Sequence, residues 1–256
     1  MKQYELRLSG KPTALDVGVA VQRPCKVRIR VLNPNTKGCI YTDRWSNVKG
    51  KGEFEVRLPQ SSEKVLVIID CPDMGNDDNV RITKLKRISL NTHKMCLPKN
   101  RDFQEFLKFA QWFCENAGAI QPNRYYSDKK NFTIDYFEVI RDKGRVLTTP
   151  ARISNKTGRI EIAKKYFARL TVPMRFAILC HEYSHFNLNV VQSDEIEADL
   201  NALKIYLGSG YPIIEAHKSF LRVFQNSPTK QNKERYEYLK TFIDNFDELK
   251  YRMCIT

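Results

Sequence analysis

The sequence predicts an α+β protein in which a β-rich N-terminal domain precedes a mostly helical C-terminal domain. Before residue 97, apolar and polar residues alternate in several segments, which is the period of a half-buried strand. After that point, apolar residues recur at every third or fourth position, which is the period of an amphipathic helix. We therefore predict two domains, residues 1–97 and residues 98–256.

The first domain contains short strand patterns separated by turn signals. KVRIRVLN, residues 26–33, places aliphatic side chains on one face and arginines on the other, and GEFEVRLP, residues 52–59, repeats this alternation. KVLVIID, residues 64–70, predicts a more buried strand, and NVRITKLKRISL, residues 79–90, predicts one or two more. Short strands with regularly spaced turns are typical of an antiparallel β-sandwich. We find no catalytic constellation in this domain.

The second domain begins with a predicted helix, DFQEFLKFAQWFCENAG, at residues 102–118. NFTIDYFEVI, residues 131–140, then predicts a strand, and GRVLTTPARIS, residues 144–154, predicts a second strand or a loop. KTGRIEIAKKYF, residues 156–167, predicts a third strand that runs into a helical turn. From Pro173 onward the pattern is almost wholly helical, so this domain contains a small sheet among helices.

The formal net charge of +14 is high for 256 residues. The basic residues are spread along the chain and form no Lys/Arg-rich run. One interpretation is a well-solvated surface. The other is contact with an acidic partner, such as a nucleic acid or an acidic protein surface.

Cysteine usage and hydropathy bear on the compartment. The seven cysteines are odd in number and form no CxxC pair, which predicts free, mostly buried thiols and argues against zinc bound through cysteine. The longest apolar run, VLVII at residues 65–69, is far too short to span a membrane, and the N-terminus lacks the apolar core of a signal peptide. We expect an intracellular protein, or part of a particle assembled in the cytoplasm, that is not secreted.

The segment AILCHEYSHFNLN, residues 177–189, carries two of the four histidines. Positions four apart lie on the same face of a helix, so the imidazoles of His181 and His185 can reach one metal ion. Glu182 points about 100° away from His181 and can flank that ion without binding it. The alternative is a chance pair of surface histidines. The apolar run before His181 argues against it, because a buried pair of unsatisfied imidazoles would be costly.

The next predicted helix offers a third ligand within VQSDEIEADLNALKIYLGSG, residues 191–210. Glu195 and Asp199 are four apart and therefore share a face. If Glu195 binds zinc, Asp199 lies one turn on, where its carboxylate can accept a proton from a histidine ring nitrogen. Acidic first turns also occur in helices without metals. Following HEYSH so closely, these carboxylates favour a zinc centre with one position open for water.

These residues resemble the gluzincin metallopeptidases, which have HExxH on one helix and a glutamate ligand on the next. EIEAD is similar to the E-x-x-A-D of the CAAX-prenyl-protease and heat-shock membrane peptidase family, and the short link between the helices is similar to that of ImmA/IrrE-type soluble peptidases. The likeness covers roughly residues 145–240. It implies a zincin-like domain that hydrolyses a peptide or protein, with Glu182 as general base and then acid.

The resemblance also implies two further features of the site. One is a strand before the active-site helix that forms an edge along which an extended peptide substrate pairs. Here that strand comprises Arg159, Ile160, Glu161 and Ile162. The other is a group that stabilises the tetrahedral intermediate. The His-Pro of the family appears here as Ser227-Pro228, which leaves Arg235, His217, Tyr211 or Tyr236 for that role.

Two hypotheses from other functional classes stay open on the sequence alone. The chain could be a zincin scaffold in a larger assembly, for example a phage particle, in which zinc joins two helices and catalysis is lost. The N-terminal domain would then dock an assembly partner. The high positive charge also allows direct nucleic-acid binding with vestigial zinc chemistry.

Overall fold

The computed structural model describes residues 1–72, 79–90, 97, 100–215, 217–218 and 229–246. The protein is an α+β protein, as the sequence predicts. It divides into two compact units, Met1–Thr92 and His93–Thr256. The predicted division lies a few residues later, after residue 97.

Seven strands lie in the described part of the N-terminal unit. They are β1 (Lys2–Arg7), β2 (Thr13–Val21), β3 (Cys25–Leu32), β4 (Ile40–Val48), β5 (Lys51–Leu58), β6 (Lys64–Asp70) and β7 (Val80–Ser89). One sheet has the order β1-β6-β3-β4 and the other has the order β5-β2-β7. Every neighbouring pair is antiparallel. Each sheet buries one face, which is the pattern of a β-sandwich.

The alternation predicted for β3 and β5 is confirmed. In β3, Val27, Ile29 and Val31 are at most 1% exposed, whereas the residues between them are partly exposed. In β5 the buried positions are Phe54, Val56 and Leu58. NVRITKLKRISL forms a single strand, β7.

Two cysteines depart from the expectation of free thiols. Cys25 and Cys71 form a disulfide. Cys25 begins β3 and Cys71 follows β6, which is an antiparallel neighbour of β3, so the pairing of the strands brings two cysteines of distant sequence position together. Among the described residues, Cys39, Cys114 and Cys180 are buried cysteines outside the disulfide, and their burial agrees with the prediction. Cys96 and Cys254 lie outside the described residues.

The C-terminal unit combines helices with a four-stranded sheet. Its described helices include α1 (Arg101–Asn116), α2 (Lys164–Phe167), α3 (Val172–Asn187), α4 (Glu195–Gly208) and α5 (Lys230–Asp244). Its strands are β8 (Asn123–Tyr126), β9 (Thr133–Phe137), β10 (Arg141–Asp142), β11 (Arg145–Val146), β12 (Ala151–Ile153) and β13 (Ile160–Ala163). The sheet has the order β12-β13-β9-β8, and β10 and β11 form a separate ribbon. Within the sheet β9 and β13 are parallel, and the other pairs are antiparallel.

Buried contacts hold α3 in place along its whole length. The Phe106 ring of α1 stacks on Tyr183 with 3.8 Å between centroids. Toward the start of α3, the fully buried guanidinium of Arg175 donates to the carbonyls of Cys114, Phe167 and Ala168. These carbonyls lie at the C-terminal ends of α1 and α2, where the helix dipole favours a positive charge. The position of α3 is therefore fixed by its neighbours.

Membrane insertion receives no support from the helices. Among the described residues, every helix is too short or too polar to cross a membrane.

Candidate metal centre

The two histidines of the HEYSH segment project from the same face of α3. The helix begins at Val172 with Thr171 at its N-cap and Pro173 in its first turn, as the sequence predicts. His181 and His185 direct their Nε2 atoms toward each other, 3.0 Å apart. Their rings are perpendicular, with centroids 4.6 Å apart. One face of a buried helix thus presents two imidazole nitrogens to a common point.

Helix α4 adds the carboxylate of Glu195. Its N-cap is Asp194, whose Oδ1 accepts hydrogen bonds from the backbone N–H groups of Ile196 and Glu197 at 2.9 and 3.0 Å. This cap starts the helix at Glu195, so the glutamate stands in the first turn facing α3. Glu195 Oε2 lies 3.5 Å from His181 Nε2, and Oε1 lies 3.6 Å from His185 Nε2.

The three donors fit a zinc ion. Donor atoms that lie about 2.0–2.2 Å from a tetrahedral zinc ion are roughly 3.3–3.5 Å from one another. The two Nε2 atoms are 3.0 Å apart, and the closest Glu195 oxygen lies 3.5 Å from that of His181 (Oε2) and 3.6 Å from that of His185 (Oε1), which is near that spacing. Among the described residues, His181, His185 and Glu195 form the one group of three or more possible metal ligands. The Glu195 side chain is 37% exposed, so solvent reaches this group.

The second nitrogen of each imidazole has its own partner. His181 Nδ1 lies 2.8 Å from Asp199 Oδ1, and His185 Nδ1 lies 2.7 Å from the backbone carbonyl of Gln192. An acceptor at Nδ1 fixes the tautomer in which Nε2 carries the lone pair, which is the form that binds a metal. The sequence predicts the partnership with Asp199. It does not predict the carbonyl of Gln192, which lies in the loop between α3 and α4.

Arg235 of α5 anchors the carboxylates of the site. Its Nε and Nη2 donate to the two oxygens of Asp199 at 2.7 and 3.1 Å, and Nη2 lies 3.0 Å from Glu195 Oε2. Its Nη1 donates to Asn232 at 3.4 Å. The guanidinium is buried and all three of its nitrogens have acceptors, so it holds Asp199 and Glu195 in place. Arg235 is one of the four residues considered for stabilising an oxyanion; in this structure its donors contact these carboxylates, and the oxyanion role stays a prediction.

The charges of the site without a metal follow from burial and from these contacts. Burial alone would lower the pKa of His181, but hydrogen bonds to Asp199 and Glu195 outweigh it and raise the pKa to about 10. Burial, together with the positive charge of His181, lowers the pKa of His185. Hydrogen bonding to His181 lowers the pKa of Glu195 to about 2. The protonated His181 thus balances the carboxylates, and a bound metal ion would take over that role.

Glu182 lies beside the ligands in a buried position, 8% exposed. Burial raises its pKa to about 7, with the charge of His181 opposing this rise and that of Glu195 adding to it. The backbone N–H of Ile153 in β12 also acts on this carboxylate and lowers its pKa. Glu182, on the helix that carries both histidines, therefore faces β12 of the four-stranded sheet.

The sheet edge next to Glu182 is β12, not β13. Arg159, Ile160, Glu161 and Ile162 were expected to form the edge. However, β13 is an interior strand that pairs with β12 on one side and β9 on the other. The hydrogen bonds from Ser154 N to Arg159 O and from Ala163 N to Pro150 O set the register of β12. In this register, Ala151 and Ile153 direct their backbone groups away from β13 toward the unpaired edge.

The remaining candidates for stabilising an oxyanion lie elsewhere. Tyr211 is buried, and its ring stacks on Phe176 and Tyr206 with centroids 4.7 and 5.1 Å apart. It is therefore part of the packing between α3 and α4. His217 is partly exposed and does not belong to the group of possible metal ligands. Tyr236 follows Arg235 on α5 and is partly exposed.

No protein-family model, no curated protein and no solved structure significantly matches this chain.

Proposed function

We propose that the C-terminal unit is a zinc-dependent peptidase, in which His181, His185 and Glu195 hold the metal and Glu182 is the general base. The observation that carries this proposal is the convergence of three side chains: the two Nε2 atoms lie 3.0 Å apart, and each lies 3.5–3.6 Å from one oxygen of the Glu195 carboxylate. It is supported by the partners on both Nδ1 atoms and by access of solvent to Glu195. Structural zinc sites are closed by four protein ligands, whereas catalytic sites keep one position for water.

The protein groups suit the hydrolysis of an amide. A zinc ion bound here would lower the pKa of a bound water and polarise the scissile carbonyl. The Glu182 carboxylate would take one proton from the attacking water as the new C–O bond forms. It would return that proton to the leaving nitrogen as the C–N bond breaks. Asp199 and Arg235 would keep His181 and Glu195 oriented throughout.

The edge of β12 is the surface on which we expect an extended peptide to lie. Its outward-facing groups, the N–H and C=O of Ala151 and the C=O of Ile153, can pair with a substrate strand. Because the Ile153 amide also faces Glu182, a peptide on this edge would pass beside the general base. Substrate pairing is thus proposed for β12 and not for residues 159–162.

A second candidate function is a zinc-bearing component of a larger assembly, such as a phage particle. One observation favours it: Arg235 and Tyr211, two of the four alternatives for stabilising an oxyanion, are engaged in other contacts. In that case zinc would join α3 to α4 without turnover. The N-terminal unit would serve as the docking surface.

We also infer that the protein acts inside the cell, because Cys39, Cys114 and Cys180 are buried cysteines that do not take part in the one disulfide of the described residues. The Cys25–Cys71 disulfide is the contrary observation. Alkylation of thiols in freshly lysed producing cells, followed by mass spectrometry, would test the inference. A reduced Cys25–Cys71 pair is expected, and full oxidation would contradict it.

Glu182→Gln separates the two candidate functions. For a peptidase, the variant should retain stoichiometric zinc but cleave a peptide library about 100- to 10,000-fold more slowly than the unchanged protein. Glu197→Gln is the matched control, since that residue is two positions after Glu195, on another side of α4, and accepts a hydrogen bond from the Val190 amide. Zinc at one per chain with no cleavage by the unchanged protein would favour the assembly component. Folded protein without zinc would contradict both.

A further inference from the structure

A cluster of basic and aromatic side chains lies on the outer face of the four-stranded sheet in the N-terminal unit. In β3, Val27 and Ile29 point into the core, so Lys26 and Arg28 point outward. The register pairs Arg28 with Trp45 and Lys26 with Asn47 of β4. Paired residues lie on the same face of a sheet. All four side chains therefore share one outer surface at the end of the sandwich.

Trp45 is the centre of this surface. It is 43% exposed, although a large aromatic ring is usually more buried. Lys26 Nζ lies 5.1 Å and Arg28 Cζ lies 4.9 Å from the ring centroid, within the range of cation–π contacts. Arg28 also donates to both oxygens of Asp43, which fixes the guanidinium against the ring. The ring is thus held rigid by two cations while part of it faces solvent.

An open depression shares Lys26 and Asn47 with this surface. It has a volume of about 340 Å³, and its lining is formed by Pro24, Cys25, Lys26, Asn47, Val48 and Lys49. Among the residues that the structure describes, no carboxylate forms an ion pair with Lys26 or Lys49. The Arg28 charge, by contrast, is offset by Asp43. The depression therefore carries an uncompensated positive charge beside a partly exposed indole.

Unpaired lysines together with a partly exposed indole favour a ligand that has both negative charges and a planar ring. An acidic peptide would use the lysines but would gain nothing from an exposed tryptophan. Duplex nucleic acid offers phosphates, but its bases are stacked inside the helix and cannot reach the ring. A single strand offers both phosphates and unstacked bases, and basic grooves with aromatic platforms are how proteins bind it. A depression of this volume has room for a group of about the size of one nucleotide.

We propose that this surface binds single-stranded nucleic acid, with one base stacked on Trp45 and the adjacent phosphates at Lys26 and Lys49. The site is in the N-terminal unit and does not depend on the metal centre or its chemistry. It gives a specific location to part of the net charge of +14. Contacts to two phosphates of a single strand predict a slope of about −1.4 for log K against log salt.

The two tryptophans of the chain allow a direct test. Trp112 is also 43% exposed but lies on α1 of the other unit. In a Trp112→Phe protein all tryptophan fluorescence comes from Trp45, and we expect a ten-nucleotide thymidylate to quench it saturably. In the complete chain, Trp45→Leu should weaken binding of the same oligonucleotide roughly 5- to 150-fold. Trp112→Leu should leave binding unchanged, and circular dichroism checks that both variants are folded.

Matched charge reversals test the role of the lysines. Lys26→Glu and Lys49→Glu should weaken binding and reduce the salt slope. Lys86→Glu on the opposite sheet makes the same change of net charge and should leave binding within about twofold, as expected for an isolated surface substitution. The proposal is overturned if Trp45 fluorescence does not respond, if Trp45→Leu binds like the unchanged protein, or if Lys86→Glu weakens binding as much as Lys26→Glu. If polyglutamate competes with the oligonucleotide equally well, the surface binds acidic proteins. If a DNA duplex competes equally well, binding reflects only the positive charge of the surface.

Discussion

The two units place their functional side chains by different physical means. In the C-terminal unit, His181 and His185 come from successive turns of one helix, so local geometry brings them together. In the N-terminal unit, Arg28 and Trp45 come from different strands and meet only because β3 and β4 pair in one register. A site built within a helix can be recognised from spacing alone. A site built across a sheet becomes visible only when the register is known.

The largest effect that would test this comparison is loss of the metal. His185→Ala removes one of three donors, and we expect zinc to fall from one per chain to a trace after dialysis, because three protein ligands are the usual minimum of such sites. Elemental analysis measures this directly. His217→Ala is the control and should keep its zinc. Retention of zinc by His185→Ala would mean that the metal is bound elsewhere.

The next largest effect concerns the anchoring of the site by Arg235. Arg235→Gln leaves the buried Asp199 without its bidentate partner and should weaken zinc binding about 10- to 100-fold. It should also lower the free energy of unfolding by about 3–5 kcal/mol, the cost of breaking a buried ion pair from one side. Competition with a chromophoric chelator and denaturant unfolding give the two values. Arg152→Gln, in a more exposed pair with Glu161, should change neither by much.

Hydrogen exchange with and without zinc should separate the units. At a zinc concentration of 100 times Kd the bound state gains about 2.7 kcal/mol, so exchange through unfolding of the site slows by up to about 100-fold. We expect this protection in α3 and α4, measured by mass spectrometry of their peptides. Peptides from β2 and β3 are the internal control and should be unchanged. Equal protection in both units would contradict a metal centre confined to residues 93–256.

A smaller effect would sharpen the assignment of the sheet edge. Ile153→Pro removes an N–H that the ladder between β12 and β13 does not use, so the fold should tolerate it. Arg152→Pro removes an N–H that this ladder uses, so it should destabilise the unit more than Ile153→Pro does. Arg152→Ala measures how much of that effect comes from losing the ion pair with Glu161. Denaturant unfolding measures all three. Because the Ile153 amide faces Glu182, Ile153→Pro should also lower peptidase activity. If Ile153→Pro destabilised more than Arg152→Pro, the register of β12 would be wrong.

Much of the metal site could be predicted because it is local. The spacing of His181 and His185 fixes their common face, and Asp194 caps α4 so that Glu195 and Asp199 face α3. The tertiary contacts could not be predicted. Arg235 is 36 residues from Asp199, and no periodicity connects them. The same holds for β13, whose interior position depends on a parallel partner, β9, that precedes it in the chain.

The strands of the N-terminal unit also show which features the sequence can and cannot predict. β3 and β5 could be predicted because apolar and charged residues alternate along them. The sequence does not predict β2, because its outward-facing residues are Ala14, Asp16, Gly18 and Ala20. Only Asp16 is charged, so polar and apolar residues do not visibly alternate along this strand. It is the central strand of its sheet, and central strands are the ones whose outer face needs few polar residues. The Cys25–Cys71 pair likewise depends on the register of β3 and β6.

The central claim is that two imidazoles and one carboxylate of the C-terminal unit hold a zinc ion and leave one position for water. X-ray absorption at the zinc edge tests it most directly. We expect one zinc per chain with four nitrogen or oxygen donors at about 2.0–2.2 Å, two of them with the multiple-scattering signature of imidazole. Sulfur donors at about 2.3 Å, or a folded protein that binds no zinc, would contradict it.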